Sequence, residues 1–152
     1  MASAHEKKFA EGVHPFLEEG EKVLASSIAQ AKGFSRMMVS GLQLGQVQVA
    51  GSTAAAEGGE VRVDNPMALV LTNRRLLTVK ISAPIGLGIG GNVKELMTPI
   101  PLAEVDSIEV KKIALRQNIT LTIRGVEIPL ETNAKANARG LADEFARVKA
   151  AA

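Results

Sequence analysis

Residues 68–81 read ALVLTNRRLLTVKI, which places a polar tetrad between two apolar runs. Each run has the length of a β-strand and is rich in Leu, Val and Ile. Asn73, inside the tetrad, tolerates the positive φ that a tight hairpin turn requires. The stretch therefore predicts a β-hairpin with Arg74 and Arg75 at or just past its turn.

Three more predicted strands follow this hairpin. The first covers about 105–113, and the next two alternate apolar and polar residues over 119–123 and 126–130. Gly125 lies between the last two runs, where a turn is needed. Such alternation is typical of an antiparallel sheet with one solvated face and one buried face. A group of cations near one strand end should face solvent and blunt the sheet edge: Lys111, Lys112 and Arg116.

A helix is predicted near each end of the chain. Over residues 3–19, apolar side chains recur at helical spacing, and Pro15 should kink this helix or restart it as a second short turn. Over residues 134–149, an apolar stripe runs opposite to charged faces. Thr132 or Asn133 would cap the start of this second helix.

Two segments are harder to interpret from their patterns. Residues 21–25 read as the entry to a first strand that runs to about Ala31, and residues 33–64 read as an insertion between this strand and the next. A helix over 34–44 and a strand over 46–50 are candidates within the insertion. Residues 83–92 form a glycine-rich loop whose spacing lacks the dinucleotide-binding pattern. Apolar side chains in both segments are candidate interaction surfaces. They are Phe34, Met37, Met38, Leu42, Ile85, Leu87 and Ile89.

The composition fits a single soluble domain spanning residues 1–152. Apolar residues make up 46% of the chain and charged residues 22%, which is ordinary for a globular protein. The aromatic fraction of 3% and the net charge of +2 argue against nucleic-acid binding. We find no Cys, no secretory signal and no run of about 18 apolar residues. The sequence therefore predicts a cytoplasmic protein.

Two motifs carry a family resemblance. The segments TNRRL at 72–76 and IPLAEVDSIEV at 100–110 resemble parts of bacterial pleckstrin-homology-like (PH-like) domains and their GRAM relatives. The resemblance implies an α+β fold that is mainly β. Its centre would be a two-sheet open barrel of about seven antiparallel strands, preceded by the N-terminal helix and capped by the C-terminal helix. It also implies that Phe145 fills the space of a Trp found in eukaryotic members.

The barrel architecture adds an expectation about the hairpin. We expect Leu77, Val79 and Ile81 to point into the barrel and Lys80 to point out of it. A shift of one residue would reverse this assignment, because successive side chains of a strand point to opposite faces.

The resemblance further implies a candidate site for an anionic lipid headgroup. Members that bind phosphoinositides carry cations at the end of the first strand, in the loop after it and on the next strands. The corresponding residues here are Lys32, Arg36, Arg62, Arg74 and Arg75. An arginine suits this task because its planar fork grips phosphate oxygens bidentately. The alternative for Arg74 and Arg75 is a structural role, in which they cap carbonyls or pair with a glutamate.

Catalytic motifs find little support in the sequence. His5 and His14 are nine residues apart and so are not i, i+4 metal ligands, and no Gly-x-Ser-x-Gly motif is present. We therefore expect no enzymatic activity, no metal and no cofactor. The predicted function is a non-catalytic protein-binding or assembly module whose partner is another protein or a second copy. The alternatives are a peripheral membrane-lipid binder and an enzyme of unrecognised type.

Overall fold

The helices and strands of this protein are seen in a computed structural model. It describes residues 4–31, 46–48, 60–62, 67–81, 93–113, 116–133 and 136–151. Helix α1 spans Ala4–Val13, and a 3-10 turn follows at His14–Phe16. The strands are β1 (Val23–Ala31), β2 (Gln46–Gln48), β3 (Glu60–Arg62), β4 (Met67–Thr72), β5 (Arg75–Ile81), β6 (Val93–Pro101), β7 (Val105–Ile113), β8 (Arg116–Ile123) and β9 (Val126–Asn133). A second 3-10 turn at Leu102–Glu104 joins β6 to β7, and helix α2 spans Ala138–Ala151.

Seven of the strands form two antiparallel sheets that share β1. The strand order is β6-β5-β4-β1-β9-β8-β7. Residues 23–29 of β1 pair with β4, whereas residues 30–31 pair with β9, so β1 passes from one sheet to the other. We call β1, β4, β5 and β6 the first sheet, and β7, β8 and β9 the second sheet. Strands β2 and β3 form a separate two-stranded ladder. The expected open barrel of about seven antiparallel strands with a helix near each end is confirmed.

The barrel interior is filled by an apolar cluster to which both sheets and α2 contribute. From β4 it takes Met67, Leu69 and Leu71, and from α2 it takes Leu141 and Phe145. Phe145 is only 4% exposed, so it occupies the interior position expected for it. We call this group the barrel cluster.

A second apolar cluster lies on the other face of the first sheet. It joins α1 to β4 and β5, and we call it the α1 cluster. Its buried members are Phe9, Val13, Ala68, Val70, Leu77, Val79 and Ile81. Because both faces of the first sheet are covered, all six residues of β4 are buried.

The hairpin orientation expected from the sequence is wrong. Leu77, Val79 and Ile81 point toward α1, while Leu76 belongs to the barrel cluster. Lys80 therefore shares the barrel-facing side of β5 and is half-buried. A continuous apolar run does not reveal which face is which, because both alternating sets of residues are apolar.

Close contact between α1 and β6 depends on a glycine. An added Cβ at Gly12 would lie 2.7 Å from the Cβ of Val93, which is closer than carbon atoms can pack. Helix α1 ends one residue later, and Pro15 stands in the 3-10 turn that continues the chain. The expected restart at Pro15 is therefore confirmed, and it leads the chain toward β1.

The second sheet is shaped by its tight turn. Arg124 and Gly125 both have positive φ, at 47° and 83°, as the two central residues of a type I′ hairpin require. The Asp106 carboxylate accepts a hydrogen bond of 2.7 Å from the Gly125 backbone N–H. Asp106 stands at a register shift near the start of β7, and this bulge directs its side chain to the turn.

Candidate functional site

The hairpin corner between β4 and β5 is one candidate site, because both predicted anion-binding arginines of the hairpin lie there. The chain enters β1 after a turn at Gly20, whose φ of +80° favours glycine. This turn places Glu21 directly against the hairpin, and no part of its side chain is exposed.

Glu21 forms a bidentate ion pair with Arg75. The Arg75 Nη2 atom lies 2.6 Å from Oε1 of Glu21, and Nε lies 2.9 Å from Oε2. The Thr72 hydroxyl donates to Oε2 at 2.6 Å, and the Glu18 backbone N–H donates to Oε1 at 2.9 Å. Arg75 Nη2 also donates to the Phe16 carbonyl oxygen at 3.1 Å. Both oxygens of the buried carboxylate are therefore bonded, as a buried charge requires.

These contacts change the pKa values of both partners. Burial by itself raises the pKa of the Glu21 carboxyl. The hydrogen bonds from Arg75, Thr72 and the Glu18 N–H, with the charge of Arg75, outweigh that effect and lower the pKa to about 2. The hydrogen bond to Glu21 in turn raises the pKa of Arg75. The pair is thus ionised at neutral pH.

Asn73 of the tetrad also binds the chain segment before β1. The Asn73 side chain accepts from the Lys22 N–H at 2.8 Å and donates to the Gly20 carbonyl at 3.2 Å. Asn73 does not use the positive φ expected of it, since Arg124 is the non-glycine residue with positive φ in the described ranges. The Thr72 hydroxyl meanwhile accepts from the backbone N–H of Arg75 at 2.9 Å. The tetrad therefore joins the hairpin to residues 16–22.

Arg74 differs from its neighbour Arg75 in every contact of its side chain. It is exposed, and in the part of the chain that the structure describes its guanidinium has no acidic partner. The space that a Cβ on Gly20 would take lies 3.2 Å from its Nη2. Its backbone, by contrast, is hydrogen-bonded, since the Arg74 carbonyl oxygen accepts from the Leu102 N–H at 3.2 Å. The Arg74 side chain is therefore exposed to solvent, whereas Arg75 is already paired.

The remaining candidates for headgroup binding are not brought to this corner by any described contact. Lys32 and Arg36 lie outside the described residues. Arg62 lies in β3, where the structure describes the backbone and not the side chain. The lipid-binding assignment of the five cations stays a prediction.

The predicted apolar interaction surfaces also stay predictions. Their residues all lie outside the described ranges: Phe34, Met37, Met38, Leu42, Ile85, Leu87 and Ile89. Among the described residues, no group of three or more His, Asp or Glu side chains could hold a metal ion. His14 is exposed in the first 3-10 turn.

Sequence reasoning missed Glu21, which carries most of the corner's chemistry. Its partner Arg75 lies 54 residues further along the chain, so no local spacing pairs them. The one local signal is the Gly20 turn before β1, which places the next side chain at a strand entrance. Only the pairing of β1 with β4 brings that entrance to the hairpin.

A second candidate site is a sheet edge, and the strand order ends in β6 on one side and in β7 on the other. Strand β6 contains Pro99 and Pro101, and its pairing with β5 has two register shifts. Strand β7 has no proline and pairs regularly with β8 from Ser107 to Ile113. Prolines and bulges make an edge unsuitable for a further strand. The bulge of β7 is confined to Asp106, so β7 offers the better template, and its exposed Lys111 and Lys112 blunt it toward any strand that brings no acidic partner.

Comparison with known proteins assigns the family. Residues 17–145 match the profile of the family described as Bacterial PH domain. This chain is a member of the bacterial PH domain family. The match covers the corner around Glu21, both sheets and most of α2, so the candidate sites belong to the family domain.

Other comparisons add little to this assignment. A crystal structure of a DUF1696 family protein with a pleckstrin-homology domain from Shewanella loihica PV-4 is similar, with a TM-score of 0.48 and 13% sequence identity. The similarity covers 96% of this chain and 98% of that one. No curated protein matches the chain. Within the described part of this PH domain, no helix is long and apolar enough to cross a membrane.

Proposed function

We propose that this bacterial PH domain is a non-catalytic assembly module that associates with itself in the cytoplasm. The observation that carries the proposal is the edge of β7. This strand ends the sheet order and pairs with β8 on one side, and in the described ranges no strand lies on its other side. An unpaired row of backbone N–H and C=O groups is a template for a strand from another chain.

The character of the β7 edge supports association rather than chemistry. Its last three residues, Lys111, Lys112 and Ile113, are all exposed, and Ile113 is 43% exposed. Phe16 is the other large exposed apolar side chain among the described residues. The buried ionisable pair of the corner is bonded within the fold, which leaves it no group for acid–base work.

Sedimentation velocity of the full chain over a wide concentration range tests this proposal. We expect the weight-average sedimentation coefficient to rise with concentration, as for a reversible oligomer. A coefficient that stays at the monomer value at every concentration would contradict self-association.

A second candidate function is favoured by one observation, the exposed and unpartnered guanidinium of Arg74. It would serve as a contact for an anionic lipid headgroup. Flotation with anionic and with neutral vesicles tests this function, using Arg74→Glu as the variant and Lys94→Glu, on exposed β6 surface, as the charge-matched control. Binding that needs anionic lipid and is lost in Arg74→Glu alone would favour the lipid over the assembly function.

A further inference from the structure

The β7 edge carries opposite charges on the two sides of one residue, so it is complementary to a second, antiparallel copy of itself. Glu109 and Lys111 flank Val110, and both are exposed. Their cross-strand neighbours on β8 are Thr120 and Asn118, which carry no charge. Neither Glu109 nor Lys111 forms an ion pair with any residue that the structure describes. The two opposite charges are therefore both available to a partner strand.

We infer that two copies of this chain pair antiparallel through β7, with the two-fold axis at Val110. This inference rests on the proposed self-association and gives it a surface and a register. In this register Glu109 of each copy lies opposite Lys111 of the other, which makes two cross-strand ion pairs on the solvent side. A two-fold interface must be self-complementary in this way, because the same patch is used twice.

The same register accounts for the apolar residues of the strand. Val110 meets Val110 of the second copy on the axis, so two half-buried apolar side chains cover each other. Ile113 lies opposite Ser107 of the second copy, which removes this exposed side chain from water. Lys112 lies opposite Ile108, where its aliphatic stem can pack while its ammonium stays solvated. Every pair lies in the regular part of β7, beyond the bulge at Asp106.

A partner of a single charge sign fits this edge less well. The acidic residues of β7 precede its basic residues, so an acidic peptide that pairs with the regular part of the strand and meets Lys111 also meets Glu109. The opposite edge, β6, cannot take this role along its whole length, because Pro99 and Pro101 have no N–H to donate. The pattern therefore selects β7 as the edge and a second copy as its occupant.

Charge reversal of the full chain, followed by sedimentation velocity, tests this register. Glu109→Lys and Lys111→Glu each place like charges opposite each other twice. We expect either change to raise the dimer dissociation constant by about tenfold or more, since like charges directly opposite destabilise strand pairing. An equimolar mixture of the two variants should restore association, because the heterodimer regains both ion pairs. The double variant Glu109→Lys/Lys111→Glu should also associate like the wild type.

Controls separate this inference from the proposed function. Glu127→Lys lies on the same sheet face but on β9, and Lys94→Glu lies on the opposite edge. Both should associate like the wild type, and thermal melts should show that all variants remain folded. An oligomer that forms equally well in every variant would overturn the β7 register while leaving self-association in place. A wild type that is monomeric throughout would overturn both, and single variants without rescue in the mixture would overturn the register.

Discussion

The first sheet buries both of its faces, whereas the second sheet buries only one. Strands β4 and β5 lie between the barrel cluster and the α1 cluster. In β8, by contrast, the residues from Gln117 to Ile123 alternate between buried and half-buried positions. The difference shows where the domain covers both faces of a sheet and where it leaves one face in contact with solvent. Stability should depend on the first sheet, and association on the second.

The edge strands follow the same division. Strand β6 belongs to the first sheet and is broken by prolines and register shifts. Strand β7 belongs to the second sheet, and its exposed edge residues carry no such interruption after Asp106. Substitutions in the two sheets should therefore separate folding from binding.

The largest expected effect is the loss of the α1 cluster. Phe9 is buried against the outer face of the first sheet, so Phe9→Ala should lower the free energy of unfolding by about 4 kcal/mol through lost burial and a cavity. Urea denaturation measures this change. The matched control is Phe16→Ala at an exposed phenylalanine of the first 3-10 turn, which should lower the urea midpoint much less. A small effect of Phe9→Ala would mean that α1 is dispensable and that both sheets have a free outer face.

The next effect comes from the buried ion pair at the corner. Glu21→Ala leaves the Arg75 guanidinium without its partner and should cost about 3 kcal/mol of stability. Replacing both residues by apolar ones, as in Glu21→Leu/Arg75→Met, should recover much of this loss. Thermal or urea unfolding of the two variants and the wild type measures both changes.

An exposed ion pair serves as the control for that corner. Glu144 and Arg147 pair on the surface of α2, and Glu144→Ala should barely move the unfolding midpoint because exposed pairs contribute little. Equal losses at Glu21 and Glu144 would contradict the structural role assigned to the corner.

The third effect, of the same order as the second because it concerns the same ion pair, is a dependence of stability on acid pH. The pKa of Glu21 is lowered from 4.5 to about 2 in the folded state. Its stabilising contribution is therefore complete above about pH 4.5 and is lost as the pH falls toward 2. The shift corresponds to a contribution on the order of 3 kcal/mol at neutral pH. Urea unfolding at several pH values measures it, and the acid-dependent loss should be smaller in Glu21→Gln than in the wild type. Parallel pH profiles for the two proteins would contradict the lowered pKa.

Particular elements show how far the sequence could be interpreted. The hairpin at 68–81, the alternating strands and both terminal helices were predictable, because each depends on local periodicity. The second helix begins at Ala138 rather than at 134, an ordinary error at a helix end. The partners of Arg75 were not predictable, since Glu21 and Phe16 reach it only after β1 pairs with β4.

By itself, the sequence determined the order of helices and strands, the family and the polar tetrad of the hairpin. These properties depend on apolar periodicity and turn residues, which act over a few neighbouring positions. Only the tertiary structure decided that Leu77 faces α1, that Arg75 is bound to Glu21 and that Arg74 remains exposed. The physical reason is that burial and charge pairing depend on which distant segments meet, and adjacent residues of one strand can meet opposite surroundings.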